Sequence, residues 1–371
     1  MKFTCEKSVL LESLNKCISV VSQKSTIPAL EGFLFDVEDD ITITGYNMEI
    51  AVVANFEAAI EIPGKLVINA RLFYDIIRRL SSNEITLSLE GYKLSITCAN
   101  ANFEITSLPA EDYPDLPTVL SNSEDVKVLR LKSNQFKDIL SKTTHAIGVD
   151  PSKNSFYGLL FDVYGNILKL VAVDGFRFAV AEENIINENN VQNFKFIIPP
   201  ATVKEIDRIL NETEEPVILE ITKNHIIIAI DNVKIISKLV NKDFFAYENV
   251  LSKIGNNEIV INRKDLADAI DRVSLLITER YKSAVRLIFE DNILHISTET
   301  AIGKGYDSCY IKNSSTELIE IGFNNKYLAD AVNAASDEEI IIDIKNGTSQ
   351  IYIKPKENNN YLFVVMPVRL N

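Results

Sequence analysis

The stretch Lys65–Leu80, KLVINARLFYDIIRRL, decides how this chain is read. It opens on a short β-branched run. From Asn69 onward the pattern changes. Leu72, Phe73, Ile76, Ile77 and Leu80 recur at three- and four-residue spacings, the period of an amphipathic helix. Three alternating runs follow, EITLSL, YKLSITC and NFEITSL, rich in β-branched residues and parted by turn formers. One unit is therefore a lead-in strand, a helix and about three strands.

The same unit occurs five more times. The copies begin at Lys2 (KFTCEKSVLLESLNKCI), Lys127 (KVLRLKSNQFKDILSK), Lys195 (KFIIPPATVKEIDRIL), Glu258 (EIVINRKDLADAIDRV) and Leu318 (LIEIGFNNKYLADAVNA). Their starts lie roughly 60–68 residues apart, longer than most solenoid periods and just as regular. Each predicts one apolar helix stripe. The first holds Val9, Leu10, Leu14, Cys17, Ile18 and Val21; the third Phe136, Ile139, Leu140 and Ile147; the fourth Val203, Ile206, Ile209 and Leu210. The fifth holds Leu266, Ala269, Ile270, Val273 and Leu276, and the sixth Leu328, Ala331, Val332 and Ala335.

Copies pair. Ser107–Asp125 is rich in Pro, Ser and acid and reads as a linker, and a second break lies near Asn249–Asn257. Two breaks predict three similar domains, 1–122, 123–250 and 251–371, each of two copies. The expected fold class is α+β, with two helices packed on antiparallel sheet in every domain.

The chain has 371 residues, 46% of them hydrophobic, so each domain can bury a full core. The formal net charge of −14 argues, taken alone, against a nucleic-acid partner. Cys5, Cys17, Cys98 and Cys309 form no CxxC pair, which points to a reducing compartment rather than to disulfides or zinc. The N-terminus lacks the apolar core of a signal peptide, and no run is long enough to cross a bilayer. A soluble, cytoplasmic protein is expected. His145, His225 and His295 lie in different copies, and no HExxH, GxSxG or GxxxxGK[ST] occurs. No catalytic residue, metal site or cofactor is expected.

Six stretches carry a family resemblance: TIPAL at Thr26–Leu30, NARLFYDIIRRL at Asn69–Leu80, SLPAEDYPDLP at Ser107–Pro117, AVDGFRFAVAE at Ala172–Glu182, SKLV with a following F-x-Y at Ser237–Tyr247, and VVMPVRL at Val364–Leu370. The terminal MPVRL and the central DGFR are each short. In this order over the full length, the set resembles the bacterial DNA sliding clamps, the β subunits of DNA polymerase III. The resemblance implies a head-to-tail homodimer, a ring of six similar domains around duplex DNA, with helices lining the hole and sheets outside. Such a ring holds DNA by topology, so an acidic chain needs only weak, local positive potential inside. The implied DNA-facing residues are Lys24, Arg71, Arg78, Arg79, Lys137, Lys142, Lys153, Arg208, Arg272 and Arg280, with Lys16 beside them; the plain alternative is that they are ordinary solvated charges. Asp75, Asp138, Asp207 and Asp271 are interleaved and would keep contact weak. Lys24 stands where the family often has Arg, and Ile197–Val203 lacks a basic residue that relatives often carry.

The resemblance also implies a hydrophobic cleft that docks short peptides of the polymerase α subunit, the clamp loader, other polymerases and repair proteins. Its implied walls are Phe156, Val173, Gly175, Phe176, Arg177, Phe178, Phe245, Asn249, Val250, Val365, Met366, Pro367, Val368, Arg369 and Leu370, with Arg177 and Arg369 as rim donors. Read without it, VVMPVRL is a final edge strand and DGFR a tight turn. Relatives usually have F-P-x-Y where this chain has Phe244-Phe245-Ala246-Tyr247, and often Arg at Asn249, so a more aromatic and less basic rim is expected. The implied dimer seam sets Phe103 and Ile105 against Leu276 and Ile277; the alternative is that all four serve their own cores. A protein-interaction scaffold with no DNA role, and an enzyme with a site assembled from distant residues, are the competing functions.

Overall fold

The computed structural model describes residues 1–117, 126–187, 193–251, 257–312 and 318–370. Residues 118–125 of the expected linker, with the 122/123 boundary, and residues 252–256 of the second break lie outside them. Seven α-helices occur among the described residues: α1 (Lys7–Ile18), α2 (Ala70–Arg79), α3 (Ser133–Thr143), α4 (Pro200–Ile209), α5 (Glu248–Leu251), α6 (Arg263–Ser274) and α7 (Asn325–Ala334). Apart from the single turn α5, they are the six helices of the repeat.

Three of the helices start on the same device. The side-chain oxygens of Asn69, Asn262 and Asn324 accept hydrogen bonds from the backbone N–H of Leu72, Asp265 and Tyr327, at 3.0, 3.1 and 3.2 Å. This satisfies amides that a helix N-terminus otherwise leaves bare. The buried stripes share a register. Leu10, Phe136 and Leu266 are fourth in α1, α3 and α6, and Phe73, Val203 and Leu328 are fourth in α2, α4 and α7; all six are at most 1% exposed. The stripes are narrower than expected. Val9 and Leu72 are solvent-facing, because each sits about 100° around the helix from its buried neighbour.

The chain divides into two compact units. The first holds 1–134, 186–191 and 204–239 and carries two antiparallel sheets. A five-stranded sheet runs Ala59–Ile62, Lys2–Glu6, Glu84–Glu90, Lys93–Cys98, Ala101–Thr106. A nine-stranded sheet runs Ile186–Asn187, Lys127–Lys132, Pro216–Ile221, His225–Ile230, Val233–Lys238, Ile50–Phe56, Ile41–Tyr46, Gly32–Val37, Gly64–Asn69. The second unit holds 135–185, 192–203 and 240–371. Its twelve-stranded sheet runs Phe194–Ile198, Leu159–Tyr164, Ile167–Val173, Arg177–Asn184, Tyr361–Val365, Ile351–Pro355, Glu339–Ile344, Glu258–Asn262, Gly303–Lys312, Ile293–Thr300, Val285–Glu290, Ile319–Phe323.

These units cut through the stretch expected to be the middle domain. The reason is ladder continuity. Val233–Lys238 pairs with Ile50–Phe56 in the first unit, and Arg177–Asn184 pairs with Tyr361–Val365 in the second. The second pairing also overturns the edge-strand reading of VVMPVRL. Tyr361–Val365 has partners on both sides, and the strand ends before Met366.

Because the fourth-position residues carry the helix–sheet contact, Phe73→Ala should cost about 3–5 kcal/mol in denaturant unfolding. Arg71→Ala, on the exposed side of the same helix, should stay within about 0.5 kcal/mol of the parent.

Candidate functional site

The DGFR sequence makes a turn that projects an aromatic ring. Asp174 Oδ1 accepts from the N–H of Phe176 and Arg177, at 2.8 and 3.0 Å. Gly175 sits at φ +96°, where an L side chain is strained, and a Cβ there would lie 3.6 Å from the Phe156 ring. The turn leaves Phe176 54% exposed. Its ring stacks on Tyr327, centroids 6.0 Å apart, and Lys153 Nζ lies 5.8 Å from its centre.

Behind the turn is an apolar wall. Val173, Phe178, Tyr247, Leu362 and Val364 form a buried cluster, against which Phe156, Phe245 and Val250 pack half-buried. Phe156 and Phe245 meet edge to face at 5.7 Å, and the Phe245 N–H donates to the Ser155 carbonyl at 3.0 Å. A groove of about 820 Å³ opens beside this wall, with Ile147, Lys153, Phe156, Phe176, Lys282 and Tyr327 among its lining. Phe156, Val173, Phe178, Phe245 and Val250 share this packed cluster, Gly175 lies against Phe156, and Phe156 and Phe176 also line the groove. Asn249 is exposed on α5.

Arg177 lines the groove but is anchored by neighbouring groups rather than free at its rim. Its guanidinium bonds Asp174 at 3.0 Å and Asp330 at 2.6 Å and lies 4.5 Å from the Tyr327 ring centre. Only 12% of its side chain is exposed. Two of its five N–H donors are held by carboxylates, and the guanidinium lies against a ring. The C-terminal residues also divide. Val365 is fully buried in the sheet, so it is no pocket wall. Exposed Met366 donates its N–H to the Phe176 carbonyl at 2.9 Å, which brings it to the turn; Pro367 is half-buried. Val368 donates to the Gly322 carbonyl at 2.8 Å, and Leu370 packs so close to Gly322 that a Cβ there would meet it at 2.5 Å. Arg369 and Leu370 line a separate depression with Arg286, Lys304 and Tyr306.

Sequence reasoning missed Tyr327 and Lys282, which come from other copies, placed Ile147 only on a helix stripe, and gave His145 no role in the groove. His145 stands edge-on to Phe363 at 5.2 Å, and neither ring nitrogen has a hydrogen-bond partner. Burial, aided by nearby Arg177, lowers its pKa to about 4.

The basic residues fall into distinct surroundings. Lys24, Arg71 and Arg280 are exposed, and Lys137 is half-buried. Arg78 and Arg79 are exposed and share Asp75, each at 3.2 Å; Arg272 bonds Asp307 at 2.6 Å. Lys16 pairs with Glu12 at 2.8 Å and also bonds Asn232. Lys142 contradicts its assignment. Its side chain is 3% exposed, bonded to Asp138 at 2.6 Å and 5.4 Å from the Tyr361 ring centre. It lies in the interior because its apolar stem and charge are both matched there. Lys153 belongs to the groove. Arg208 is committed within the first unit, donating to the carbonyls of Asn15 and Lys16 at 3.1 and 2.7 Å, to Ser19 Oγ at 2.8 Å and to Glu205. It caps the carbonyl end of α1. Asp138 is taken by Lys142, whereas Asp207 and Asp271 face solvent.

At the expected seam, Ala101–Thr106 is an edge strand with Phe103 41% exposed and Ile105 half-buried. Leu276 is half-buried against Gly303 and Gly305 of its own unit, and Ile277 lines the groove. The solvent-facing residue is their neighbour Leu275, 75% exposed. Among the described residues no group of three His, Cys, Asp or Glu could hold a metal ion, and no helix is long and apolar enough to cross a membrane.

His145 sets an acid limit. Its folded pKa lies below its unfolded value, so the unfolded state binds the extra proton as pH falls below about 6.5. Stability is therefore full above that pH and declines toward pH 4. The parent should lose about 2 kcal/mol from this group between pH 7 and pH 5. His145→Phe should remove that share of the loss in urea unfolding at the two pH values.

Comparison with known proteins accounts for the whole length. The DNA polymerase III beta subunit models match in order: the N-terminal domain over residues 1–117, the central domain over 130–245 and the C-terminal domain over 248–369. The beta sliding clamp of Haemophilus influenzae is 29% identical, with all of both chains covered. The crystal structure of the DNA polymerase sliding clamp from Bacillus subtilis superposes with a TM-score of 0.93 at 25% identity, again over all of both chains. A sliding clamp from Bartonella birtlesii, crystallised bound to griselimycin, gives 0.90 at 29% over the same full extent. With three domain models in sequence and full-length likeness in both sequence and fold, the chain belongs to the bacterial DNA sliding clamps, the beta subunits of DNA polymerase III.

Proposed function

We propose that this sliding clamp acts as a processivity factor by closing, as a head-to-tail homodimer, around duplex DNA and holding its partners by short apolar peptides in the groove beside Phe176. The observation that carries the reading is that groove. Half-buried Phe156, Phe245 and Val250, backed by buried Val173 and Phe178, form a preformed apolar wall beside the Phe176–Tyr327 stack. Apolar and aromatic lining with a few fixed polar groups suits a peptide anchored by large side chains. Met366 extends the wall and, being unbranched, adapts to peptides of differing shape. Lys153, Lys282 and Lys326 stand in the groove lining beside Asp150, Asp174 and Glu279, giving it fixed charges of both signs around the apolar anchors.

The three clamp domains span 1–122, 123–250 and 251–371. DNA passes near Lys24, Arg71, Arg78, Arg79, Lys137, Arg272 and Arg280. Asp75 beside Arg78 and Arg79, and Asp307 beside Arg272, keep those contacts weak, as sliding requires, since every neutralised phosphate adds affinity. The chain supplies no catalytic group and acts in the cytoplasm on the nucleoid. Its partners are the polymerase III α subunit, the clamp loader, and other polymerases and repair proteins. At the seam, the edge strand Ala101–Thr106 with Phe103 and Ile105 meets the α6 end of a second chain, near Leu276.

Two experiments test the reading. Loaded protein should stay on nicked circular DNA and leave when that DNA is linearised; equal loss from both would return the scaffold alternative. A fluorescent polymerase-tail peptide should bind Phe176→Ala at least tenfold more weakly. It should not bind protein lacking residues 366–371, while that protein remains dimeric; full-strength binding would mean the groove is misplaced.

A further inference from the structure

The groove does not end at its own wall. Lys282 and Ser283 line it and also line a second hollow of about 910 Å³, the depression that holds Arg369 and Leu370. This hollow lies on the solvent-facing side of strands Val285–Glu290, Ile293–Thr300 and Gly303–Lys312. Alternation along the strands makes it polar. Leu287, Ile296 and Cys309 turn into the core, while Arg286, Ser297 and Tyr306 form one row across the three strands. The C-terminal segment is a second link, since Met366 is bonded to the Phe176 turn and Arg369 and Leu370 reach the hollow. Both links are tied to the sheet. Ser283 Oγ donates to the Glu299 carbonyl at 2.8 Å, Thr298 Oγ1 to the Ala284 carbonyl at 3.0 Å, and the Val368 N–H to the Gly322 carbonyl at 2.8 Å.

Charge separates the hollow from the groove. The groove mixes signs, with Asp150, Asp174 and Glu279 among its lysines. The hollow sets four cations, Lys282, Arg286, Lys304 and Arg369, against two acids, Glu299 and Glu320. Both acids are taken, Glu299 by Lys304 at 2.8 Å and Glu320 by Arg286 at 2.5 Å. Lys282 and Arg369 are exposed and make no ion pair among the described residues. A local positive surplus thus stands on a chain whose formal net charge is −14. At the end of the row Tyr306 is 66% exposed, and its hydroxyl lies 2.7 Å from His295 Nδ1, which fixes the ring. An exposed, anchored aromatic ring beside uncommitted cations is a composition that carries binding energy at interfaces.

We propose that this hollow binds acidic residues flanking the apolar anchors of the partner peptide seated in the groove. The inference rests on the peptide-docking reading above and deepens it. The groove takes the anchors, and the hollow selects among partners by the charge beside them. The occupant is the same peptide because Lys282 and Ser283 belong to both hollows, so a chain leaving the groove past them enters the second. Its flank is acidic because the uncommitted groups are cations and the carboxylates of the lining are already paired. A single-stranded nucleic acid fits less well, since it stacks successive bases on several aromatic faces and this lining offers one. The charges lie at the surface, so salt screens the contact.

Fluorescence anisotropy on the full chain compares a polymerase-tail peptide extended by a short run of aspartates with the same peptide extended by asparagines. The run precedes the anchors in one pair of peptides and follows them in another. In one placement the aspartate peptide should bind about fivefold more tightly at low salt. Half-molar salt should bring that pair within about twofold. Lys282→Glu and Arg369→Glu should each abolish the difference, with circular-dichroism melts showing that both fold. Lys223→Glu, the same change of charge on the first unit, should keep it. If the asparagine peptides fail to bind the parent, the groove reading falls and this inference with it. If they bind and aspartates add nothing in either placement, or the difference survives both reversals, the hollow alone is overturned. Binding of a labelled oligothymidylate that both reversals weaken, with no effect of aspartates, would assign the hollow to nucleic acid and overturn the proposal as well.

Discussion

Antiparallel ladders that run from one repeat copy into another are the constraint on which the structure depends. Val233–Lys238 closes on Ile50–Phe56, and Arg177–Asn184 closes on Tyr361–Val365. Strands left open there would expose rows of unpaired amides and carbonyls. Pairing satisfies them and fixes register, because a one-residue slip would turn Phe178 or Val364 out of the wall beneath the groove. The DGFR turn enters the first strand of the second ladder, and the C-terminal segment leaves the other. Ladder register therefore places Phe176 beside Met366, whose backbones are hydrogen-bonded.

The same architecture explains how basic residues on equivalent helices acquire different tasks. Charge at a helix surface reads alike everywhere in the sequence. In the fold, Lys142 is drawn inside by Asp138 and the Tyr361 ring, and Arg208 is spent on the carbonyl end of α1. Arg71 and Arg280 remain in solvent. A clamp gains from this economy. It needs rigid junctions more than it needs many phosphate contacts, which would slow it on DNA.

Much of this was legible in the sequence because periodicity is local. Stripes such as Leu266, Ala269, Ile270 and Val273 mark helices, and all four are buried. The caps formed by Asn69, Asn262 and Asn324 at three of those helix starts were found in the folded chain. The residues AVDGFRF and FFAY were drawn together through family likeness, since nothing in their own spacing links Phe156 to Phe245 across 89 positions. Tyr327 and Lys282 carried no such signal, so only the folded chain brought them to the groove.

The sequence by itself determined the repeat, the helix faces and the α+β class, because each follows from side-chain period and backbone preference within a few residues. Only the tertiary structure decided that Arg177 is held by Asp174 and Asp330, that Val365 is interior, that Lys142 is buried, and that Leu275 rather than Leu276 faces solvent. Those outcomes depend on which distant carboxylate, ring or strand arrives beside a residue. Burial and partnership are properties of a neighbourhood, and the neighbourhood exists only once the ladders have closed.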